Sequence, residues 1–230
     1  GVLGSSPKRI TKEKVTENSV TFLFILISNH MITRCYLEIT NHCNLNCLFC
    51  PKTGRAKHRL SLDEFELLTD KLIGKVEFLY FHLMGEPFLH PLLPQFIQIA
   101  RQKNFIPVLT TNGTLLSKAQ GVIEARPHKI QISLHSHEGN TKEHPEEYIH
   151  QVMTFAQEAA SQGILIVLRL WNEGGYDTTN DYIQDLIAQY QPRPWTQRHD
   201  GWKLEKNLYI EYDRMFEWPD ANRDEFDATD

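Results

Sequence analysis

The stretch Arg34-Cys-Tyr-Leu-Glu-Ile-Thr40, followed without a break by Asn41-His-Cys43-Asn-Leu-Asn-Cys47-Leu-Phe-Cys50, decides how the rest of the chain is read. Its first half is rich in aromatic, β-branched and apolar residues, the composition of a short strand. Its second half has neither a helical nor an alternating period and carries three cysteines in the spacing C-x3-C-x2-C. A loop directly after a strand puts three thiolates at that strand's C-terminal end. Three closely spaced cysteines can hold three irons of a [4Fe-4S] cluster, which normally takes four thiolates, and leave the fourth iron open to a cofactor or substrate. Cys35 lies inside the strand, where a thiol ordinarily behaves as a small buried hydrophobe. A structural zinc site would need a fourth ligand, with Cys35 or His42 as the candidates, and zinc ribbons favour a second C-x2-C pair that this sequence lacks. All four cysteines fall between residues 35 and 50, whereas a disulfide framework would scatter them to staple distant loops. They read as ligands in a reducing compartment.

Outward from this stretch, short β-rich runs alternate with helical patterns, the signature of βαβ units and a parallel sheet. Six strands are expected, over 34–40, 76–82, 106–111, 129–135, 164–171 and 207–213. Ser61-Leu-Asp-Glu64 is a capping box, and Leu62, Phe65, Leu68 and Leu72 recur at helical spacing, so a helix over 61–73 closed by Gly74 is expected. Phe96, Ile97 and Ala100 mark a second helix and residues 117–125 a short third. Val152, Phe155, Ala156 and Ala159 mark a fourth, ending at Gly163, and Tyr182, Ile183, Leu186, Ile187 and Tyr190 a fifth. The fold class is therefore α/β, a partial (β/α)6 TIM-like barrel with parallel strands, since 230 residues are too few for a full eight-strand barrel. The site belongs at the C-terminal strand ends.

Composition agrees with a folded chain: 41% apolar, 23% charged and 10% aromatic residues. The net charge of -5 without a basic stripe argues against phosphate-dominated nucleic-acid binding. The longest apolar run, Phe22 to Ile27, is well short of the roughly 20 residues needed to cross a bilayer, and it leads to His30 instead of a small-residue cleavage site. A cytoplasmic protein is expected. Residues 1–30 read as an N-terminal arm of uncertain status, 31–218 as the core domain, and 219–230 as an acidic tail or a linker to a missing C-terminal domain.

The cysteine spacing, the aromatic Phe49 before the last cysteine and the surrounding Leu37-Glu-Ile-Thr-Asn-His-Cys-Asn-Leu-Asn-Cys47 resemble the radical S-adenosylmethionine (radical SAM) enzymes, most closely the branch with a SPASM-type C-terminal extension. Met84-Gly85-Glu86-Pro87 is similar to that family's GGEP motif, with Met84 in the first glycine position. The resemblance implies that Glu86 and nearby carbonyls receive the amino group of S-adenosylmethionine, which needs acceptors, and that Gly85 lets the backbone come close. Thr110-Thr-Asn112-Gly-Thr114 is similar to the family's T-N-G segment, and Ile132-Ser133-Leu-His135 to its serine-bearing strand. Asn112 and Ser133 are accordingly candidate cofactor contacts, although an asparagine before glycine is equally a turn residue and a strand serine can serve the backbone. Arg169 and Asn172 interrupt an apolar strand, and Arg169 is a candidate partner for the cofactor carboxylate or an outward-facing residue. Phe49 would pack near the cluster and adenine, and Glu38 is a substrate-side candidate or an outward residue.

By this resemblance the cofactors are a [4Fe-4S] cluster on Cys43, Cys47 and Cys50 and S-adenosyl-L-methionine, cleaved after one-electron reduction to a 5'-deoxyadenosyl radical that takes hydrogen from a substrate. The implied partners are a reductant such as flavodoxin or ferredoxin and a peptide, protein or small-molecule substrate. Peptide or protein modification leads, small-molecule or nucleoside modification follows, and a non-catalytic iron-sulfur protein is the reading from another class. His82, His90, His135 and His137 fall near strand ends, but among eleven histidines none is singled out. No cysteine follows Cys50, so auxiliary clusters of the SPASM kind have no ligands in this sequence. A bare edge on the sixth strand, together with the acidic stretch, suggests a chain that stops before a covering domain.

Overall fold

The computed structural model describes residues 22–25, 32–140, 145–175 and 177–215. The acidic stretch 219–230, Trp218-Pro219 and most of residues 1–30 lie outside them. Two compact units divide the chain.

The described residues of the first unit fall within Gly1–Asn44, Thr53–Thr111 and Leu115–Gln131. They form β1 (Phe22–Ile25), β2 (Ile32–Leu37), α1 (Leu62–Leu72), β3 (Val76–Tyr80), α2 (Leu93–Gln102), β4 (Ile106–Thr111) and α3 (Gln120–Ala125). The strands lie in the order β1-β2-β3-β4. Parallel registers run through Cys35↔Leu79 and Tyr36↔Tyr80, then Phe78↔Ile106, while β1 pairs antiparallel to β2 through Phe22↔Leu37 and Ile25↔Arg34. The capping box forms as expected: Ser61 Oγ accepts the Glu64 N–H at 3.2 Å and Glu64 Oε2 accepts the Ser61 N–H at 2.7 Å. Gly74 follows at φ +72°, the left-handed region that favours glycine. Phe65 of α1 stacks on Phe96 of α2 with centroids 4.2 Å apart and meets Phe81 edge-on at 5.5 Å, and all three rings are fully buried. Burial of each such ring is worth about 1.5–3 kcal/mol, so this cluster anchors both helices to the strands.

The second unit's described residues fall within Leu45–Lys52, Asn112–Thr114 and Ile132–Asp230. After the end of β5 (Lys129–Ser133) come α4 (His135–Glu138), α5 (Pro145–Ser161), β6 (Leu165–Glu173), α6 (Asn180–Tyr190), β7 (Thr196–Arg198), β8 (Gly201–Glu205) and β9 (Leu208–Arg214). The strand order is β5-β6-β9-β8-β7. β6 and β9 run parallel through Ile166↔Leu208 and Leu168↔Ile210, and β7, β8 and β9 form an antiparallel meander. Ile149, Val152, Met153, Ala156 and Ala159 of α5 are buried with Ile166, Leu168 and Leu170 of β6 and with Ile183 and Ile187 of α6.

All six expected strands are present, as β2, β3, β4, β5, β6 and β9, in an α/β fold of the partial (β/α)6 class. Among the described residues three strands, β1, β7 and β8, and one α-helix, α4, were not anticipated. β7 reads Thr-Gln-Arg and has no apolar alternation, and with Arg198 paired to Gly201 the two-residue loop is His199-Asp200, not the Asn-Gly or Asp-Gly that announces a hairpin. α4 has four residues, too few for a period to show. The meander also corrects the expectation of a bare edge on the sixth strand, because β8 pairs with β9 through Trp202↔Ile210 and Lys203↔Tyr209. Among the described residues no helix is long and apolar enough to cross a membrane.

Candidate cofactor site

Within the second unit the cysteine loop rests on α4 and the two residues after it. The Leu48 N–H donates to the Gly139 carbonyl at 3.1 Å, and the Asn46 N–H to Asn140 Oδ1 at 2.8 Å. Asn140 Nδ2 donates to Cys47 Sγ at 3.0 Å and to the Ser136 carbonyl at 2.7 Å. The Cys50 N–H closes a turn on the Cys47 carbonyl at 3.2 Å, and Lys52 Nζ donates to the same oxygen. Phe49 packs over this seat, its ring centroid 5.2 Å from that of His135, and a Cβ at Gly139 would come 2.5 Å from Phe49 Cε1. Only a residue without a side chain lets the ring lie so close. α4 is itself held by the buried Glu138 carboxylate, which accepts from the Thr178 hydroxyl and, at 3.0 Å, from that of Thr179.

In the first unit Met84, Gly85, Glu86 and Pro87 form a turn whose shape the chain's own backbone dictates. A Cβ on Gly85 would lie 2.0 Å from the Thr40 carbonyl oxygen and 2.9 Å from that of His42. The Glu86 N–H donates to the His42 carbonyl at 2.8 Å. Gly85 therefore has a reason of its own in this chain, the passage of the segment after β2. Glu86 is 2% exposed, and its Oε1 accepts the Phe88 N–H at 3.0 Å and the Thr111 hydroxyl at 2.8 Å, capping the 3-10 turn that Pro87 begins. Glu38 points inward: its side chain is 4% exposed, and it accepts from Arg55 at 2.6 Å and from the Met84 N–H at 3.0 Å. This carboxylate ties β2's end to the Met84 turn, and the outward alternative is set aside. Cys43 belongs to this unit and is exposed, whereas Cys35 is buried and its thiol is pushed up to about 11 by burial. A thiol so reluctant to ionise is a poor metal ligand.

Asn112 behaves as the turn asparagine that the Asn-Gly sequence allows: its Oδ1 accepts the Thr114 N–H at 3.0 Å and the Thr114 hydroxyl at 2.7 Å, and its carbonyl accepts the Tyr148 hydroxyl at 2.8 Å. Ser133 is half-buried at the end of β5. Arg169 shares the half-exposed face of β6 with Trp171, and its guanidinium carbon stands 3.8 Å from the indole centroid, a cation–π contact. Asn172 is fully buried and exchanges amide hydrogen bonds with Asn180 at 2.9 and 3.1 Å, pinning β6 to α6.

The histidines near strand ends are built into packing. His90 Nε2 lies 3.0 Å from the Leu60 carbonyl, and the Leu92 N–H donates to its Nδ1 at 3.1 Å. His82 lies against Tyr36 and Tyr80, and His137 stacks on Tyr148. His135 is held down to about 4, first by burial and then by the Arg169 charge, against a hydrogen bond to the Arg169 carbonyl that favours the proton. It is neutral at pH 7. A cavity of about 650 Å³ lined by Asp181, Asp185, Arg193, Trp195 and Trp202 contains none of the residues expected at the site.

Among the described residues no group of three or more His, Cys, Asp and Glu is drawn together as a metal-holding set. Ligand loops of this kind are closed by the metal–sulfur bonds themselves. The donor chemistry of the cysteine loop nevertheless suits an iron-sulfur cluster: Cys43, Cys47 and Cys50 are thiols within reach of solvent, and an amide N–H is directed at the Cys47 sulfur. Asn140, Gly139 and Thr111 enter this geometry without having been singled out. Thr111 stands inside the quoted Thr-Thr-Asn-Gly stretch, but no local pattern marks Asn140.

The chain is 33% identical over 109 residues to the GTP 3',8-cyclase of Chlorobaculum tepidum, a match covering 43% of this chain and 31% of that relative. It is 33% identical over 86 residues to the tungsten-containing aldehyde ferredoxin oxidoreductase cofactor-modifying protein of Pyrococcus furiosus, covering 36% and 24%. The matched stretch thus spans about a third or less of these relatives. The solved structure of Streptococcus suis SuiB bound to its precursor peptide SuiA shares the fold at a TM-score of 0.52 and 13% identity, over 70% of this chain and 37% of that one. The model of the radical SAM superfamily, whose members are enzymes using a [4Fe-4S] cluster and S-adenosylmethionine, matches residues 37–176, the stretch that contains the cysteine loop, the Gly85-Glu86-Pro87 turn, Asn112, Ser133 and Arg169. With the strand succession and the seated cysteine loop in agreement with that match, this chain belongs to the radical SAM superfamily.

Proposed function

We propose that the chain carries the core domain, residues 31–218, of a radical SAM enzyme in which Cys43, Cys47 and Cys50 hold the cluster and Phe49, Met84, Gly85, Glu86, Pro87, Asn112, Ser133 and Arg169 receive the cofactor. The match over residues 37–176 carries this reading, because it takes in every one of these positions at once. When bound, the cluster and S-adenosylmethionine supply one-electron cleavage of the sulfonium to methionine and a 5'-deoxyadenosyl radical, which removes a hydrogen atom from the substrate. The chain's own groups supply placement. The Glu86 carboxylate is a fixed acceptor suited to an ammonium, since Phe88 and Thr111 already orient it. The Phe49 ring, backed by Gly139, provides an apolar wall beside the loop.

The substrate is either a peptide or protein side chain, as in the SPASM-type reading, or a small molecule. The relatives named GTP 3',8-cyclase favour the small molecule, of the nucleotide class. A one-electron donor such as flavodoxin or ferredoxin completes the set, in the cytoplasm. The test is anaerobic: the reconstituted chain, reduced with dithionite, should carry four irons and convert S-adenosylmethionine to 5'-deoxyadenosine. Glu86→Ala should weaken cofactor binding about ten- to a hundredfold, the worth of a charge-assisted hydrogen bond, with iron content unchanged. Four irons without any cofactor cleavage would instead make the chain an iron-sulfur protein of another class.

A further inference from the structure

We propose that Asn140 is a positioning residue that sets the reduction potential of the cluster through Cys47. The inference rests on the reading of Cys47 as an iron ligand. Its geometric ground is the double use of one side-chain amide. Asn140 Oδ1 accepts the Asn46 N–H at 2.8 Å, and Nδ2 donates to the Ser136 carbonyl at 2.7 Å and to Cys47 Sγ at 3.0 Å. These partners leave no choice of amide orientation, because a backbone N–H can face only the oxygen and a carbonyl only the nitrogen. The second N–H is therefore delivered to the sulfur by contacts on both sides of it. Asn140 in turn follows α4, which Glu138 fastens through Thr178 and Thr179.

A hydrogen bond to a cluster thiolate draws electron density from sulfur, and hydrogen bonds to the sulfurs are among the determinants of cluster potential. The reduced cluster carries one more negative charge than the oxidised one, so the N–H stabilises the reduced form more and raises the potential. Reduction adds one electron from a single-electron donor of the flavodoxin or ferredoxin class, and no bond to Asn140 forms or breaks. Metal sites are commonly tuned by such outer contacts, here supplied from 93 residues away in the chain.

The experiment is a redox titration of the reconstituted full chain, followed by the paramagnetic signal of the reduced cluster, with iron counted in the same samples. Asn140→Leu removes the donor. Asn140→Asp keeps the acceptor for the Asn46 N–H and places a carboxylate against the sulfur. With iron content as in the unaltered chain, Asn140→Leu should shift the reduction equilibrium about tenfold toward the oxidised cluster, which is about 59 mV for a one-electron couple, and Asn140→Asp should shift it further in the same direction. An unchanged potential in both variants overturns the proposal. So does loss of iron from both in chains that keep native circular dichroism, which would make the contact a matter of loop placement alone. A Cys47→Ala chain that still holds four irons marks a different failure, that of the ligand reading itself.

Discussion

At Gly85 the chain passes so close to the Thr40 carbonyl that an added methyl group would overlap backbone, while at Gly139 the nearest obstacle is the edge of the Phe49 ring. The first glycine shapes the Met84–Pro87 turn of one unit, the second the seat of the cysteine loop in the other. Around Gly85 the support comes from one backbone bond and two buried carboxylates: the Glu86 N–H on the His42 carbonyl, the Met84 N–H on Glu38, and the Thr111 hydroxyl on Glu86. Around Gly139 the loop is held by one backbone bond, from the Leu48 N–H to the Gly139 carbonyl, and by two bonds of the Asn140 amide that stand in solvent. A turn fixed by buried carboxylates is expected to keep its form with or without a ligand, whereas a loop held in good part by exposed bonds of about 0.5–1.5 kcal/mol each leaves the final fit of the thiolates to the metal.

That contrast can be broken most sharply at the cysteines themselves. Cys47→Ala should abolish cluster iron in anaerobically reconstituted protein, and Cys35→Ala should retain it, because the Cys35 thiol is buried and its ionisation suppressed. Iron analysis decides this, and zinc in place of iron would refute the ligand reading. Next in size, Gly85→Ala should destabilise the chain by about 3 kcal/mol, since neither Thr40 nor His42 can withdraw its carbonyl without disturbing the segment after β2. The urea midpoint measures it, with Gly54→Ala, where nothing lies within 4 Å, as the neutral reference.

An acid arm should follow from His135. Its folded value of about 4 lies below the ordinary histidine value of 6.5, so only the unfolded chain takes up this proton between those limits. Stability is fully present above pH 6.5 and falls as the pH drops toward 4, by up to about 3 kcal/mol from this residue. His135→Gln should flatten that part of the urea midpoint against pH, and an unchanged slope would show that other groups produce it. The smallest effect belongs to Gly139→Ala, about 1 kcal/mol, because a ring edge can yield where backbone cannot. A loss as large as that of Gly85→Ala would erase the distinction between the two regions.

What could be read in advance was whatever is written contiguously. The C-x3-C-x2-C spacing, the capping box at Ser61 and the six parallel-type strands each declare themselves within a dozen residues or so, and each appears in the structure. Asn112 was legible in both senses, as a motif member and as an asparagine before a glycine, and the turn geometry is what its side chain displays. Gly85 was legible as a glycine but not for its steric cause, which exists only once the segment after β2 passes the turn. Asn140 and Gly139 were illegible, since a short helix carries no period and their partners in the loop lie 93 residues or so upstream. The β7–β8 pair was missed because its outer strand is entirely polar and its His199-Asp200 loop is not a characteristic hairpin dipeptide.

The meander that extends β9 has a consequence for how the protein behaves in company. A strand with one unpaired side offers its amides and carbonyls to any extended chain that meets it, and long apolar edges template intermolecular pairing. Among the described residues the strand at that end of the order is β7, three residues long, reading Thr196-Gln197-Arg198 and exposed throughout. It presents a short ladder, a positive charge and no apolar side chain, while the apolar Leu208 and Ile210 of β9 are shut behind β8. The hairpin thus acts as a selvedge at that end of the strand order, where an extended chain from a neighbouring copy would meet only a short, polar ladder.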